Sequence, residues 1–397
     1  MFLKYFKLVL ILLFFCQNPL YSKSNDLKDF NSDYLSNYFS GVIAYKNKNN
    51  SEALEFFKLS KILLNKHDPY LEKYTHSLVT EGKVKQAINE IKQNLNKNNS
   101  RFFEARLILV IDSLKKKDFK KSKIYLEQSY EFINNNRISL FIYESIKQYI
   151  YTFQEGKILK TKNNFGKLSL INKVFQNCYL DNINTEDDFK SLINNINDKD
   201  YSRYTFFLIN YLIDNNKFDE AQKITNKLDY INSPLLLSQG KKWIEEEKFN
   251  EFKKIFSCKN SNDIVSEFLF LVANLYSLEN DFEKSNFYLN ISYYLNPKFK
   301  FNLTLLAENY YLNKNYEKVK KTLGYFNKKD DFYYWFKVKK NAQIISKEVN
   351  DKESLNFINK KFKKIKNPSV KFIFDIANLN KNSKKYKYTN NVIRIFT

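Results

Sequence analysis

A small side chain returns at nearly constant distance along most of this chain. It follows an aromatic residue and two polar ones in "DFKKS" at Ser122, "KFDEA" at Ala221 and "DFEKS" at Ser285. The same slot holds Ala53, Ala87, Phe252, Val319, Ser354 and Thr389. Successive members lie 31 to 35 residues apart, and the 99-residue gap from Ser122 to Ala221 leaves room for three further steps. A second column, twelve residues upstream, holds Gly41, Gly240, Ala273, Ala307, Ala342 and Ala377. Three residues beyond it stand Trp243, Tyr276, Tyr310 and Ile345. Residues three apart share a helix face. A small residue beside a large one therefore makes a hole next to a knob, the surface on which antiparallel helices interlock. Pro297 and Pro368 fall where second helices must stop. The pattern predicts one helical hairpin, repeated.

Composition agrees with a chain of helices and short polar turns. Apolar residues fill 43% of 397 positions, enough to bury a core, yet only 6 residues are Gly and 5 are Pro. Phosphate loops and tight strand connections need glycine for positive φ or close backbone approach, and the chain has neither GxGxxG nor a GxxxxGK loop. The formal charge of +23 would concentrate polyanions. The excess lysine, however, travels with abundant Asn, Ile, Phe and Tyr, the residues of A/T-rich codons, and is spread without a long basic arm. A compositional origin is expected, with weak attraction to anionic lipid or peptidoglycan components that fades with salt.

"FLFLVANLYSLENDFEKSNFYLNISYYLNP" and "LTLLAENYYLNKNYEKVKKTLGYF" carry both columns and resemble the tetratricopeptide repeat. The likeness covers residues 34–134 and 201–389, and the whole chain is similar to exported tetratricopeptide proteins of alphaproteobacteria. The resemblance implies an all-α fold, a right-handed superhelical solenoid of antiparallel helix pairs in which each pair needs neighbours to bury its apolar face. Residues 25–134 and 201–389 are expected as repeats and 135–200 as degenerate helical pairs. Residues 390–397 are a short tail that ends about where a second helix should run; fraying, cover by a partner and continuation of the natural chain stay open.

Residues 1–24 read as an export signal, with Lys4 and Lys7 before the apolar run Leu8 to Phe15, too short for a comfortable membrane span. A periplasmic or envelope location follows, the alternative being an uncleaved anchor in the inner membrane. Bulky Phe15 before Cys16 argues against lipid attachment. Cys178 and Cys258 remain, expected as separate buried thiols, with a bridge as the lesser alternative that export would permit.

Catalytic chemistry finds few residues to use. The two histidines, His67 and His76, belong to no HExxH motif, no paired CxxC is present, and no GxSxG elbow appears. The acidic runs at 186–188 and 245–247 suit solvated helix faces or helix starts. A non-enzyme without metal or cofactor is expected. Phe119, Phe218, Phe249, Phe282, Tyr316 and Tyr386 share one repeat position and are assigned to packing. Counting along the first helices from the small column, one position beyond it and up to about a turn to either side, places Phe206, Asn210, Lys241, Phe270, Asn274 and Tyr311 on the inner curve, a candidate groove for an extended peptide. The Lys/Asn clamp that some family members use for a terminal carboxylate is not reproduced. The expected function is a monomeric protein- or peptide-binding scaffold or adaptor of the cell envelope, with no specific nucleic-acid partner. Two rivals stay in view: a positioning domain of a longer peptidoglycan-acting enzyme, and a basic binder of anionic polymer or membrane surface.

Overall fold

Seven helix-to-helix turns share one backbone signature. In the computed structural model, which describes residues 32–133, 136–194 and 202–382, positive φ angles fall at Lys48, Gly82, Lys117, Asn216, Glu247, Asn280 and Lys314. Each of these residues stands five positions before a member of the small-residue column. The following N–H reaches back five residues, as from Asn49 to the Ala44 carbonyl (2.9 Å), Asp281 to Tyr276 (2.9 Å) and Asn315 to Tyr310 (2.9 Å). This is the Schellman closure of a helix C-terminus. The next helix starts at once, and Asn49, Asp118, Asp281 and Asn315 each accept a hydrogen bond from an N–H of its first turn. Six of the seven turns hold a non-glycine residue in the left-handed region, at a cost of about 1–2 kcal/mol each. The repeated turn is thus compatible with six glycines in the whole chain.

Twenty α-helices and no strand are present among the described residues. The chain divides into two compact units, residues 1–66 and 67–397. In the first, α1 (Ser32–Lys46) and α2 (Asn50–Leu59) form a hairpin. A Cβ at Gly41 would meet the Phe57 ring at 3.0 Å, which is why the position is small. Residues 1–24, expected as an export signal, and Tyr386, Thr389 and the tail 390–397 lie outside the described residues.

The second unit begins with two hairpins, α3 (Pro69–Thr80) with α4 (Val84–Gln93) and α5 (Phe103–Lys115) with α6 (Phe119–Ser129). Then come α7 (Arg137–Glu155), α8 (Lys167–Leu180), α9 (Thr185–Asn194) and α10 (Ser202–Asp214). Regular hairpins resume with α11 (Phe218–Asn226), α12 (Leu235–Glu245), α13 (Phe249–Ile255), α14 (Ser261–Leu278), α15 (Phe282–Leu295), α16 (Asn302–Leu312) and α17 (Tyr316–Leu323). The unit ends with α18 (Asp331–Glu348), α19 (Asp351–Phe362) and α20 (Val370–Asn382). Three regular steps between α6 and α11 would need five intervening helices; four are described, because the 19-residue α7 and the connection after Gly156 use the length of one.

The columns are core up to the last helices, where Ser354, Ile345 and Ala377 are only half-buried. Ala53, Ala87, Ser122, Ala221, Phe252, Ser285 and Val319 have no exposed surface, and Trp243, Tyr276 and Tyr310 are buried against them. Tyr276 stacks on Tyr288 with centroids 5.5 Å apart. The aromatic column at the start of the second helices is half-buried and packs between hairpins, as Phe218 on Phe249 at 4.5 Å.

Neighbour-only stacking does not describe this unit. Helices α3, α4, α5, α7 and α8 pack on α14 and α15, far away in sequence. His76 of α3 stacks on Phe287 of α15 (4.9 Å), and burial drops its pKa to about 4. The Thr80 carbonyl accepts from Asn290 Nδ2 (3.1 Å) and from the Tyr310 hydroxyl (3.1 Å). Phe141 and Tyr149 of α7 meet Phe268 of α14 at 5.5 and 5.7 Å. The same return corrects the cysteine expectation. Cys178 on α8 and Cys258 after α13 are both buried and form a disulfide, with Cα atoms 5.4 Å apart across 80 residues of chain.

A buried ion pair ties α10 to α14. The Arg203 guanidinium donates to both Glu267 carboxylate oxygens (2.7 and 2.6 Å) and to Asn302 Oδ1 of α16 (2.9 Å). It lies 3.8 Å from the Phe270 ring centroid and 4.7 Å from that of Phe301. Burial pushes the Glu267 carboxyl up, against the pull of Arg203.

Candidate functional site

The last three helices hold their own core, built on Phe332, Trp335, Leu355, Ile358, Phe372 and Ile376. Beside it opens a cavity of about 790 Å³, bounded by α16, α18, α19 and α20. Two anchors set its walls. Asp375 accepts from Trp335 Nε1 (2.8 Å) and pairs with Lys339 (2.9 Å), fixing α20 against α18. The Ser354 hydroxyl donates to the Ala342 carbonyl (2.6 Å), fixing α19 where a small residue lets it approach.

Tyr311 forms one wall. Its ring is held between Tyr316, with centroids 5.8 Å apart, and the Lys340 ammonium, 4.5 Å away, which in turn pairs with Glu308 at 2.7 Å. Opposite it come Gln343 and Ser346 from α18 and Asn378 from α20. Gln343 and Asn378 each stand one position past the small column, at Ala342 and Ala377, and both are exposed. Leu355 and Ile358 form an apolar floor, and Leu379, 40% exposed, stands at the rim. The site therefore offers a ring, two amides and a hydrocarbon floor. It has the means to hold a chain, and Asp351, which accepts from the Ser346 hydroxyl, Lys352 and the Asp375–Lys339 pair add charge to its walls.

The six groove candidates separate. Phe206 is fully buried, stacked on Phe252 at 5.3 Å. Asn210 is fully buried and donates to the Phe256 carbonyl (3.1 Å). Phe270 is buried under Arg203. Lys241 is half-buried and donates to the Leu228 carbonyl (2.7 Å) over the Tyr230 ring. Asn274 is half-buried and away from the cavity. Tyr311 alone of the six lines it. The physical reason is the return of the chain: Arg203, Phe299 and Phe301 cover the faces of α10 and α14 that the count assumed open. Gln343 and Asn378 were missed although the same count, carried to Ala342 and Ala377, reaches them.

No group of three His, Cys, Asp or Glu side chains is placed to hold a metal among the described residues, and no described helix is long and apolar enough to cross a membrane. No protein-family model matches the chain, and no curated protein matches it. Among solved structures the chain is similar to yeast Tom70, at 12% identity over 89% of this chain and 85% of that one. The TM-score is 0.26, a superposition too loose to argue from, so the tetratricopeptide-like description rests on the periodic hairpins and their shared turn.

Proposed function

We propose that this chain is a non-catalytic scaffold that holds an extended segment of another protein in the groove of its C-terminal hairpins. The cavity of about 790 Å³ carries the reading, with Tyr311, Gln343 and Asn378 around the floor of Leu355 and Ile358. An extended polypeptide presents a backbone donor or acceptor at every residue and side chains on alternate faces, which exposed amides and an apolar floor complement. The volume falls within the roughly 300–1,000 Å³ of ordinary binding pockets. Envelope location belongs to the proposal too. The export-type residues 1–24 support it, as does the Cys178–Cys258 disulfide, since such bonds persist in oxidising compartments.

The test is crosslinking in intact cells followed by purification of the chain, comparing the native sequence with Tyr311→Ala and Asn378→Ala. A discrete polypeptide recovered with the native chain and lost with both variants supports the groove. Equal recovery from all three removes it, and recovery of no discrete polypeptide removes the scaffold.

A further inference from the structure

A second cavity, of about 610 Å³, lies where α3 and α4 meet α15, α16 and α17, and it exists only because the chain returns on itself there. Lysines reach it from three helices: Lys83 and Lys85 at the start of α4, Lys115 at the end of α5, and Lys318 and Lys321 on α17. A single carboxylate lines it, Glu81, and Lys318 is already paired with it. Lys83, Lys85 and Lys321 are exposed, and no described carboxylate stands within ion-pair distance of them. Lys115 points its ammonium at the Tyr294 carbonyl and lies 3.7 Å from the Tyr294 ring centroid. Burial, and then the neighbouring Lys85 charge, lower its pKa.

We propose that this cavity binds a phosphate-bearing small molecule, its charged group held by Lys83, Lys85, Lys115 and Lys321 and its remainder lying against Tyr293, Tyr294 and Tyr325. Like charges brought together by packing repel one another, and a counter-ion relieves that repulsion. Glu81 answers Lys318, so the other four of the five lining ammonium groups have no lining carboxylate to neutralise them, and lysine serves phosphate as a point charge. The first turn of α4 lines the same cavity with no side-chain cap on its N–H groups, so the positive end of that helix adds to the field. The tyrosine rings explain why the ligand is an organic phosphate: they supply an apolar face that a bare ion would leave uncovered. None of these residues lines the peptide groove, so the two proposals stand or fall separately.

The experiment is titration calorimetry of the full chain with pyrophosphate in low-salt, phosphate-free buffer. Lys85→Ala/Lys321→Ala is compared with Lys123→Ala/Lys360→Ala, which removes the same charge from exposed positions elsewhere. Lys85→Gln/Lys321→Gln serves as a second pair should the alanines disturb folding. Saturable binding is expected in the parent, weakened about tenfold or more by loss of the cavity pair and little changed by the control pair. Equal weakening by both pairs, or no saturable binding in the parent, overturns the proposal. A parallel arm uses vesicles containing phosphatidic acid. Cavity-dependent vesicle binding that pyrophosphate displaces assigns the phosphate to a lipid headgroup; without vesicle binding, cavity-dependent binding of phenyl phosphate tighter than that of inorganic phosphate assigns it to a soluble ester, and equal binding of the two overturns the organic ligand.

Discussion

Replacing Arg203 by methionine gives the sharpest energetic test of the returning chain. Its side chain is 12% exposed and that of Glu267 is 2% exposed, so neither charge is solvated when alone. The substitution keeps most of the apolar volume but leaves Glu267 buried without its two charge-assisted bonds. Breaking a buried pair in this way costs about 3–5 kcal/mol. Losing the cation from the Phe270 and Phe301 faces contributes to the same figure rather than adding to it in full, because the two effects share one group. Glu267→Met alone strands the guanidinium and is also destabilising. Arg203→Met/Glu267→Met strands neither charge, so the double variant lies close to the parent or above it. Urea titrations of the four proteins, followed by helical circular dichroism, give the coupling energy directly. The expected coupling is at least about 3 kcal/mol. Arg203→Met costing under about 1 kcal/mol, the value of an exposed pair, or a double variant as unstable as the summed singles, refutes the reasoning.

Three further outcomes follow from separate features. Cys258→Ala opens an 80-residue loop, and chain-entropy arithmetic puts the loss near 4.5 kcal/mol; an unchanged melting temperature with and without reductant would contradict the bridge. His76 takes up its proton near pH 4 in the folded chain against about 6.5 unfolded, so the unfolded state binds more protons in between. Stability conferred by His76 is therefore present above pH 6.5 and lost as pH falls toward 4, by at most about 3 kcal/mol, and His76→Phe should flatten that slope in the difference between the two proteins. Lys117→Gly and Glu247→Gly relieve left-handed backbone strain and should each raise stability by about 0.5–1 kcal/mol, whereas losses at both positions in urea titration would mean these turns are not left-handed.

Sequence reading reached the hairpins because a small residue against a large one leaves a periodic trace that packing cannot avoid. Ala273 with Tyr276 and Ala307 with Tyr310 are legible for that reason, and all four are buried. The shared turn was mostly hidden. Lys48, Lys117, Glu247 and Lys314 carry no side-chain signal for positive φ, while Gly82, Asn216 and Asn280 do. The contacts that fold the chain back were equally hidden, since Thr80 with Asn290, or Cys178 with Cys258, are pairings between distant repeats that local periodicity does not encode. This is also why Phe206, Asn210 and Phe270 were placed on an inner curve: the count knew the helix face and not what covers it. Where nothing returns, at Gln343 and Asn378, one position past Ala342 and Ala377, the count lands on a cavity wall, with Tyr311 one turn past Ala307 beside them.

The return of the chain on itself depends on helix α3 resting on α15. Hydrogen exchange of Asn290→Ala against the parent measures that contact most directly, because the lost amide is one of two donors to the Thr80 carbonyl. The account predicts faster exchange in 69–80 and in 282–295 together. Faster exchange confined to 282–295, with 69–80 unchanged, would contradict it.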